Sequence, residues 1–139
     1  MEEQQMVMRT REQEYARDVF GRVRDFGAKY AKGSAERKKY GSMAHKLPVL
    51  VRTAGLAQAL AFVWSRGDTA QEQLLKDLAA TVGSKGDLDD FLKQSRDLAF
   101  YEYMRLSQKV MAALLWYKRF AESVLGVQAG EDDDEGGDS

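Results

Sequence analysis

The sequence predicts an all-α fold, a compact bundle of about five to six helices. Its 139 residues are 44% hydrophobic and 31% charged, which is typical of one globular domain. A single proline and long runs of Ala, Leu, Lys, Arg, Glu and Gln favour helices, and no segment alternates as a strand would. We expect a flexible N-terminus over 1–9, one helical domain over 10–126 and a disordered acidic tail over 127–139.

The first two helices have clear start signals. Thr10 and Gln13 have the spacing of a capping box, and apolar residues then recur with helical period, which predicts a helix over about 11–31 that ends near Gly33. Ser34 is suited to cap a second, shorter and strongly basic helix that runs up to Pro48.

Pro48 is expected to begin a third helix that ends before Gly67, because proline is tolerated in a first helical turn. A helical wheel gives this segment a broad apolar arc, typical of a central helix, and a narrow opposite strip. The middle of the arc holds Leu50, Ala54, Ala57, Ala61 and Trp64, and the strip holds Arg52, Gly55, Ala59 and Arg66. A charge such as Arg52 costs about 2.5–3.5 kcal/mol within a bilayer, so no membrane partner is expected.

Three more helices follow. Asp68 is expected to cap the fourth, which Gly83 ends, and the fifth begins after Asp87. The last spans about Arg96 to Leu125, with Gly126 just past its end. Its predicted core stripe is Tyr103, Leu106, Val110, Ala113, Leu114, Tyr117, Ala121 and Val124, and its other side carries Arg105, Gln108, Lys109, Ala112, Trp116 and Arg119. Trp116 is expected to be a half-buried packing residue with an arginine across it.

The net charge of −1 hides a division along the chain. The tail from 129 to 139 has six acidic residues and no basic one, so residues 1–128 carry a charge of about +5. A basic body suggests a polyanionic partner, and the tail is a candidate for screening it before assembly. The densest basic stretch is Arg37, Lys38, Lys39 and Lys46, with Tyr40 among them.

The basic residues of the first helix differ in whether an acidic residue lies four residues, one helical turn, before them. Arg22 and Lys29 follow Asp18 and Asp25 by four residues and are therefore offered ion pairs within the helix. Arg17 and Arg24 have no such acidic residue and are better candidates for phosphate contacts.

Catalysis is poorly supported. The chain has no cysteine and one histidine, His45, which excludes a thiol nucleophile, a zinc cluster and a pair of histidines. No glycine loop that binds phosphate is present either. We expect no enzyme, cofactor or metal, and a cytoplasmic location, since no signal peptide opens the chain.

Three stretches together resemble the small helical subunit of type III-B CRISPR effector complexes, the fifth member of the Cmr set. They are "RTREQEYARDVFGRV", "KLPVLVRTAGLAQALAFVWSRG" and "YMRLSQKVMAALLWYKRFAESVL", and the likeness covers about residues 9–126. Ala54 stands where the family often has Asn, and the acidic tail is not part of the family pattern.

The resemblance implies a non-catalytic subunit that stacks with further copies of itself as an inner filament along guide and target RNA. Its other partners would be the backbone and large Cmr subunits. The basic positions that match the family pattern are Lys46, Arg52, Lys118 and Arg119, and helical wheels add Arg17, Arg24, Lys39 and Arg66 as RNA-binding candidates. Small residues that permit close contact, with one tryptophan, give a candidate subunit interface: Gly55, Ala59, Ala112 and Trp116.

Two other functions remain open. One is a helical DNA-binding regulator, although the helix after Pro48 is too apolar for a recognition helix. The other is an adaptor that binds only proteins and whose basic charge is incidental.

Overall fold

A computed structural model describes residues 8–83 and 87–131, which form six α-helices and no strand. These are α1 (Arg11–Lys29), α2 (Ala35–Ala54), α3 (Leu56–Arg66), α4 (Thr69–Thr81), α5 (Leu88–Asp97) and α6 (Phe100–Ser123). The all-α prediction is confirmed. The predicted disorder of residues 1–7 and 132–139 lies outside the described residues.

Helix starts are set by the capping residues that the sequence predicted. Thr10 and Gln13 form the full capping box of α1, with side-chain bonds of 3.0 and 2.9 Å. The side chains of Ser34, Asp68 and Asp87 each accept the N–H of the residue three positions on. Each bond satisfies one backbone donor that a helix start leaves free.

The prediction that Pro48 begins a helix is wrong. Pro48 lies inside α2, which continues for six more residues to Ala54. A proline in a helix interior costs about 3 kcal/mol. Met43, Leu47 and Val51 are buried on both sides of it, so the tertiary packing of one continuous apolar face offsets that cost.

The helix ends instead at Gly55, whose φ is 91°. Residues other than glycine adopt that backbone conformation only with strain. Tyr103 of α6 supports the corner, because its Oη accepts the N–H of Ala57 at 3.1 Å. The break rotates α3 relative to α2, so the single wheel drawn through both was wrong. Ala59 of the predicted polar strip is buried, whereas Trp64 of the predicted apolar arc is 44% exposed.

The last helix begins at Phe100, and not at Arg96 as predicted. Arg96 lies in the last turn of α5, and Leu98 and Ala99 then have extended backbone, with ψ of 144° and 162°. Leu98 packs partly buried against the core, which holds this corner in place. Six of the eight predicted core positions of α6 are buried, and Tyr103 and Val124 are partly buried against the same core.

Helix α2 lies in the middle of the bundle and packs on α6, α4 and α3, while α1 packs on α6 and α4. A buried polar network joins these helices. The hydroxyl of Tyr40 donates to Asp77 at 2.6 Å, and the hydroxyl of Thr81 lies 2.6 Å from Asp18 and 2.7 Å from that of Tyr117. Burial raises the pKa of the Asp77 carboxyl, although its hydrogen bonds to Tyr40 and Gln73 oppose that shift.

The folded domain extends past its predicted end at residue 126. Val127 is 2% exposed and packs against Gly41, where an added Cβ would come within 2.6 Å of the valine side chain. Nε2 of His45 lies 2.9 Å from the carbonyl oxygen of Val127, and Arg37 donates to that of Leu125 at 3.3 Å. Leu125 and Val127, which follow α6, therefore belong to the core.

Candidate nucleic-acid interface

The exposed side of α6 lies between α1 and α2. Phe120 of α6 contacts Phe20 of α1, with ring centroids 5.4 Å apart. On the opposite edge, Glu122 lies 3.9 Å from Nε2 of His45 in α2. These three helices therefore present one outer face, with α6 in its middle.

Lys118 and Arg119 are both exposed on this part of α6. At 100° per residue, Leu115 lies between them around the helix, and its side chain is 56% exposed. The two cations therefore flank an exposed apolar position, with Lys118 on the side of α2.

Helix α2 repeats that arrangement. Val49 lies between Lys46 and Arg52 around the helix and is 50% exposed, while Arg52 is exposed and Lys46 partly buried. Helices α2 and α6 run antiparallel, because His45 of α2 is near Glu122 at the end of α6, whereas Ala57, which follows the end of α2, bonds to Tyr103 at the start of α6. Val49 and Leu115 consequently lie at a similar height along the bundle.

Arg17 and Arg24 are exposed on α1, on either side of Phe20 along the helix. The guanidinium of Arg24 is 5.8 Å from the Phe20 ring centroid and 3.6 Å from Asp25, so Arg24 does have a neighbouring carboxylate that the i+4 rule missed. The predicted pair of Arg22 with Asp18 is present at 2.9 Å. We call the six cations Arg17, Arg24, Lys46, Arg52, Lys118 and Arg119 the basic face.

The other two RNA candidates lie where α2, α3 and α4 meet. Lys39 is 4.0 Å from Asp68, and Arg66 donates to Gln71 at 3.0 Å while its guanidinium lies over the Phe62 ring. Lys39 therefore contacts the N-cap residue of α4 and Arg66 contacts its first turn, and neither joins the basic face.

Two residues of the dense basic stretch support the fold. Tyr40 is fully buried and so is not available to stack on a base. Arg37 donates to three carbonyl oxygens, those of Gly27, Tyr30 and Leu125, and thereby ties α1, α2 and the C-terminal segment together.

The four candidate interface residues are not brought together as one strip. Ala59 is 1% exposed inside this chain's own core, and Gly55 forms the corner between α2 and α3. Ala112 and Trp116 are partly buried on α6. Trp116 is a half-buried packing residue as expected, but its ring stacks on Phe120 at 5.6 Å, and an arginine lies over Phe20 instead.

Sequence reasoning missed a cleft between the start of α1 and the first turns of α6. It has a volume of about 350 Å³ and is lined by Arg11, Tyr101, Met104, Arg105, Gln108 and Lys109. The available signal was an aromatic residue followed four positions later by an arginine, Tyr101 and Arg105. Spacing along one helix could not bring Arg11 of α1 beside this pair, so the cleft itself was not predicted.

Residues 8–83 and 87–131 contain no group of three or more His, Cys, Asp or Glu side chains that could hold a metal ion. The one histidine, His45, is 6% exposed and contacts Val127. No described helix has the length and apolar character that crossing a bilayer requires.

Comparison with known proteins gives one consistent result. The family model described as CRISPR-associated protein (Cas_Cmr5) matches residues 11–124. The CRISPR system Cmr subunit Cmr5 of Thermus thermophilus is 46% identical over 118 residues, covering 85% of this chain and 98% of the relative. The crystal structure of a CRISPR-associated Cmr5 family protein from the same organism has a TM-score of 0.75 at 43% identity and covers 85% of this chain and 99% of that one. The chain belongs to the Cmr5 family of CRISPR-associated proteins.

Proposed function

We propose that this chain is a non-catalytic subunit of a type III-B Cmr complex and supports RNA-guided binding of target RNA. The single observation that carries the RNA contact is the basic face, where six exposed or partly buried cations surround the outer side of α6. Family membership supports the assignment to a Cmr complex, because the 46% identical relative is itself called a Cmr subunit.

The type of contact follows from the side chains. Contacts from lysine and arginine to phosphate oxygens carry no sequence information by themselves. Binding through the basic face is therefore insensitive to RNA sequence and weakened by salt. Such binding suits a complex whose specificity comes from base pairing with a guide.

The same face has features that suit protein neighbours. Val49 and Leu115 are 50% and 56% exposed between their cations, and exposed apolar side chains within a charged rim are typical of protein contacts. We propose that backbone subunits or stacked copies of this chain cover these two residues while the cations reach RNA. The same observation favours the second candidate, an adaptor that contacts only proteins.

A test of the proposal uses the assembled complex, purified through a tag on this chain. Guide RNA and companion Cmr chains are expected in the preparation. The double variant Arg52→Glu/Arg119→Glu should assemble and capture target RNA at least about tenfold more weakly, because it replaces two attractions to phosphate with repulsions. The matched control Lys93→Glu/Arg96→Glu changes two exposed cations of α5 and should capture RNA normally.

The other outcomes are informative. Normal RNA capture by the Arg52/Arg119 variant would favour the protein-binding adaptor. A chain that purifies alone and protects one sequence in duplex DNA would favour the DNA-binding regulator and contradict the proposal.

A further inference from the structure

The cleft between α1 and α6 differs from the basic face in its chemistry. Three of its six lining residues are cations, Arg11, Arg105 and Lys109, and none of the described residues that line it is acidic. Its remaining side chains are the amide of Gln108, the thioether of Met104 and the ring of Tyr101. We call it the tyrosine cleft.

The aromatic ring is available for stacking. Tyr101 is 66% exposed, although aromatic side chains usually bury most of their surface. The guanidinium of Arg105 lies 5.9 Å from the ring centroid on the same helix, one turn later. A cation at that distance is attracted to the ring, so each side chain restricts the motion of the other. Less side-chain freedom is then lost when a base stacks on the ring.

The size of the cleft suits a small unit. Its volume of about 350 Å³ is at the lower end of the range found for ligand sites, which is roughly 300–1,000 Å³. The three cations can contact the oxygens of one phosphodiester group, and the amide of Gln108 can both donate and accept hydrogen bonds at a base edge. Phosphate, base edge and base face are three of the parts of a nucleotide that proteins contact, beside the ribose hydroxyl.

We propose that the tyrosine cleft binds one unpaired nucleotide of a single-stranded RNA, with the base stacked on Tyr101 and its phosphate held by Arg11, Arg105 and Lys109. The nucleotide must be unpaired, since in an A-form duplex both faces of a base are already stacked on neighbours. This inference rests on the proposed contact with RNA and adds a second site, separate from the basic face, that distinguishes single strands from duplexes.

The test measures binding of the full-length chain to a fluorescein-labelled eight-nucleotide RNA, alone and annealed to its complement. Tyr101→Ala should weaken single-strand binding about tenfold and leave duplex binding unchanged, because it removes only the stacking surface. Tyr101→Phe keeps the ring and should bind normally. Arg105→Gln should also weaken single-strand binding, while the matched control Arg96→Gln on α5 should not. Equal thermal unfolding midpoints verify that each variant is folded.

Three results would overturn the inference. The first is an equal loss of affinity in Tyr101→Ala and Tyr101→Phe, and the second is that Tyr101→Ala weakens binding to single-strand and duplex RNA equally. The third is displacement of the RNA by a polyglutamate of the same charge at equal concentration, which would indicate a site for an acidic peptide.

Arg52→Gln in the same assay separates this inference from the proposed function. A loss of affinity at Arg52 with none at Tyr101 rejects the tyrosine cleft and retains the basic face. The reverse pattern retains the cleft and rejects the basic face.

Discussion

Two halves of the bundle share one core but differ in charge. The segments 8–54 and 100–128, which contain α1, α2 and α6, have sixteen basic and seven acidic side chains. The segment 55–99, which contains α3, α4 and α5, has five basic and seven acidic side chains. Since each half supplies buried apolar residues to the same cluster, the fold does not require this division of charge. We call the half with α1, α2 and α6 the basic half and the other the acidic half, and we infer that the outer surface of the basic half makes the functional contacts.

The halves are joined by apolar and polar contacts. Leu74 of α4 and Leu114 of α6 are both fully buried in the shared cluster. Asp77 of α4 accepts the hydroxyl of Tyr40 of α2 at 2.6 Å, so the acidic half also meets the basic half through a buried hydrogen bond. Three tests examine what the halves share and what separates structural from functional residues, in order of expected effect.

The largest effect is expected from the shared core. Leu74→Ala should lower the free energy of unfolding by about 2–5 kcal/mol, because it removes buried methyl groups and leaves a cavity. Urea unfolding followed by tryptophan fluorescence reports each half separately, since Trp64 lies in α3 and Trp116 in α6. Leu74→Ala is introduced into Trp116→Phe, which retains Trp64, and into Trp64→Phe, which retains Trp116. The urea midpoint should fall by the same amount in both backgrounds. A shift at Trp64 alone would mean that the halves unfold independently.

A smaller effect should separate structural cations from functional ones within the basic half. Arg37→Ala removes three hydrogen bonds to carbonyl oxygens and should destabilise the chain by about 1–3 kcal/mol. The matched variant Arg52→Ala, at an exposed position, should change stability by less than about 0.5 kcal/mol. Thermal and urea unfolding measure both changes. Equal stability of the two variants would contradict the structural role of Arg37.

The smallest effect concerns pH. Burial raises the pKa of Asp77 in the folded chain, so the folded state holds that proton more tightly than the unfolded state does. The stabilisation from this group is complete below the unfolded pKa of about 3.9 and is lost as the pH rises through the higher folded pKa. Asp77→Asn cannot titrate and retains an oxygen that can accept the hydroxyl of Tyr40.

Urea unfolding at several pH values between 4 and 7 checks this expectation. The free energy of unfolding of the natural chain should fall relative to that of Asp77→Asn as the pH rises. A constant difference across that range would show that Asp77 does not titrate differently on folding.

The sequence predicted the elements whose signals are local. Capping by Thr10, Ser34, Asp68 and Asp87 depends on residues three positions apart, and all four caps are present. The helix boundaries that failed depend on distant contacts. Helix α2 continues through Pro48 because of its packing on other helices, and the corner at Gly55 is supported by Tyr103, which is 46 positions away from Ala57.

The site was predictable to a lesser degree for the same reason. Helical spacing identified exposed cations such as Arg17 and Arg119, because exposure on one helix is a local property. It could not place Lys39 beside Asp68, or bring Arg11 to Tyr101, since those neighbours come from other helices. The interface prediction at Ala59 failed because it assumed one straight helix across Gly55.

The most direct test of the central claim, that RNA contacts the basic half and not the acidic half, is the salt dependence of RNA affinity. The triple variant Arg52→Gln/Lys118→Gln/Arg119→Gln and the matched triple Lys76→Gln/Lys93→Gln/Arg96→Gln each remove three exposed cations, from opposite halves. In the assembled complex, the first should reduce the slope of log affinity against log salt by about 2–3, and the second should leave it unchanged. Equal slopes for the two triple variants would contradict the account.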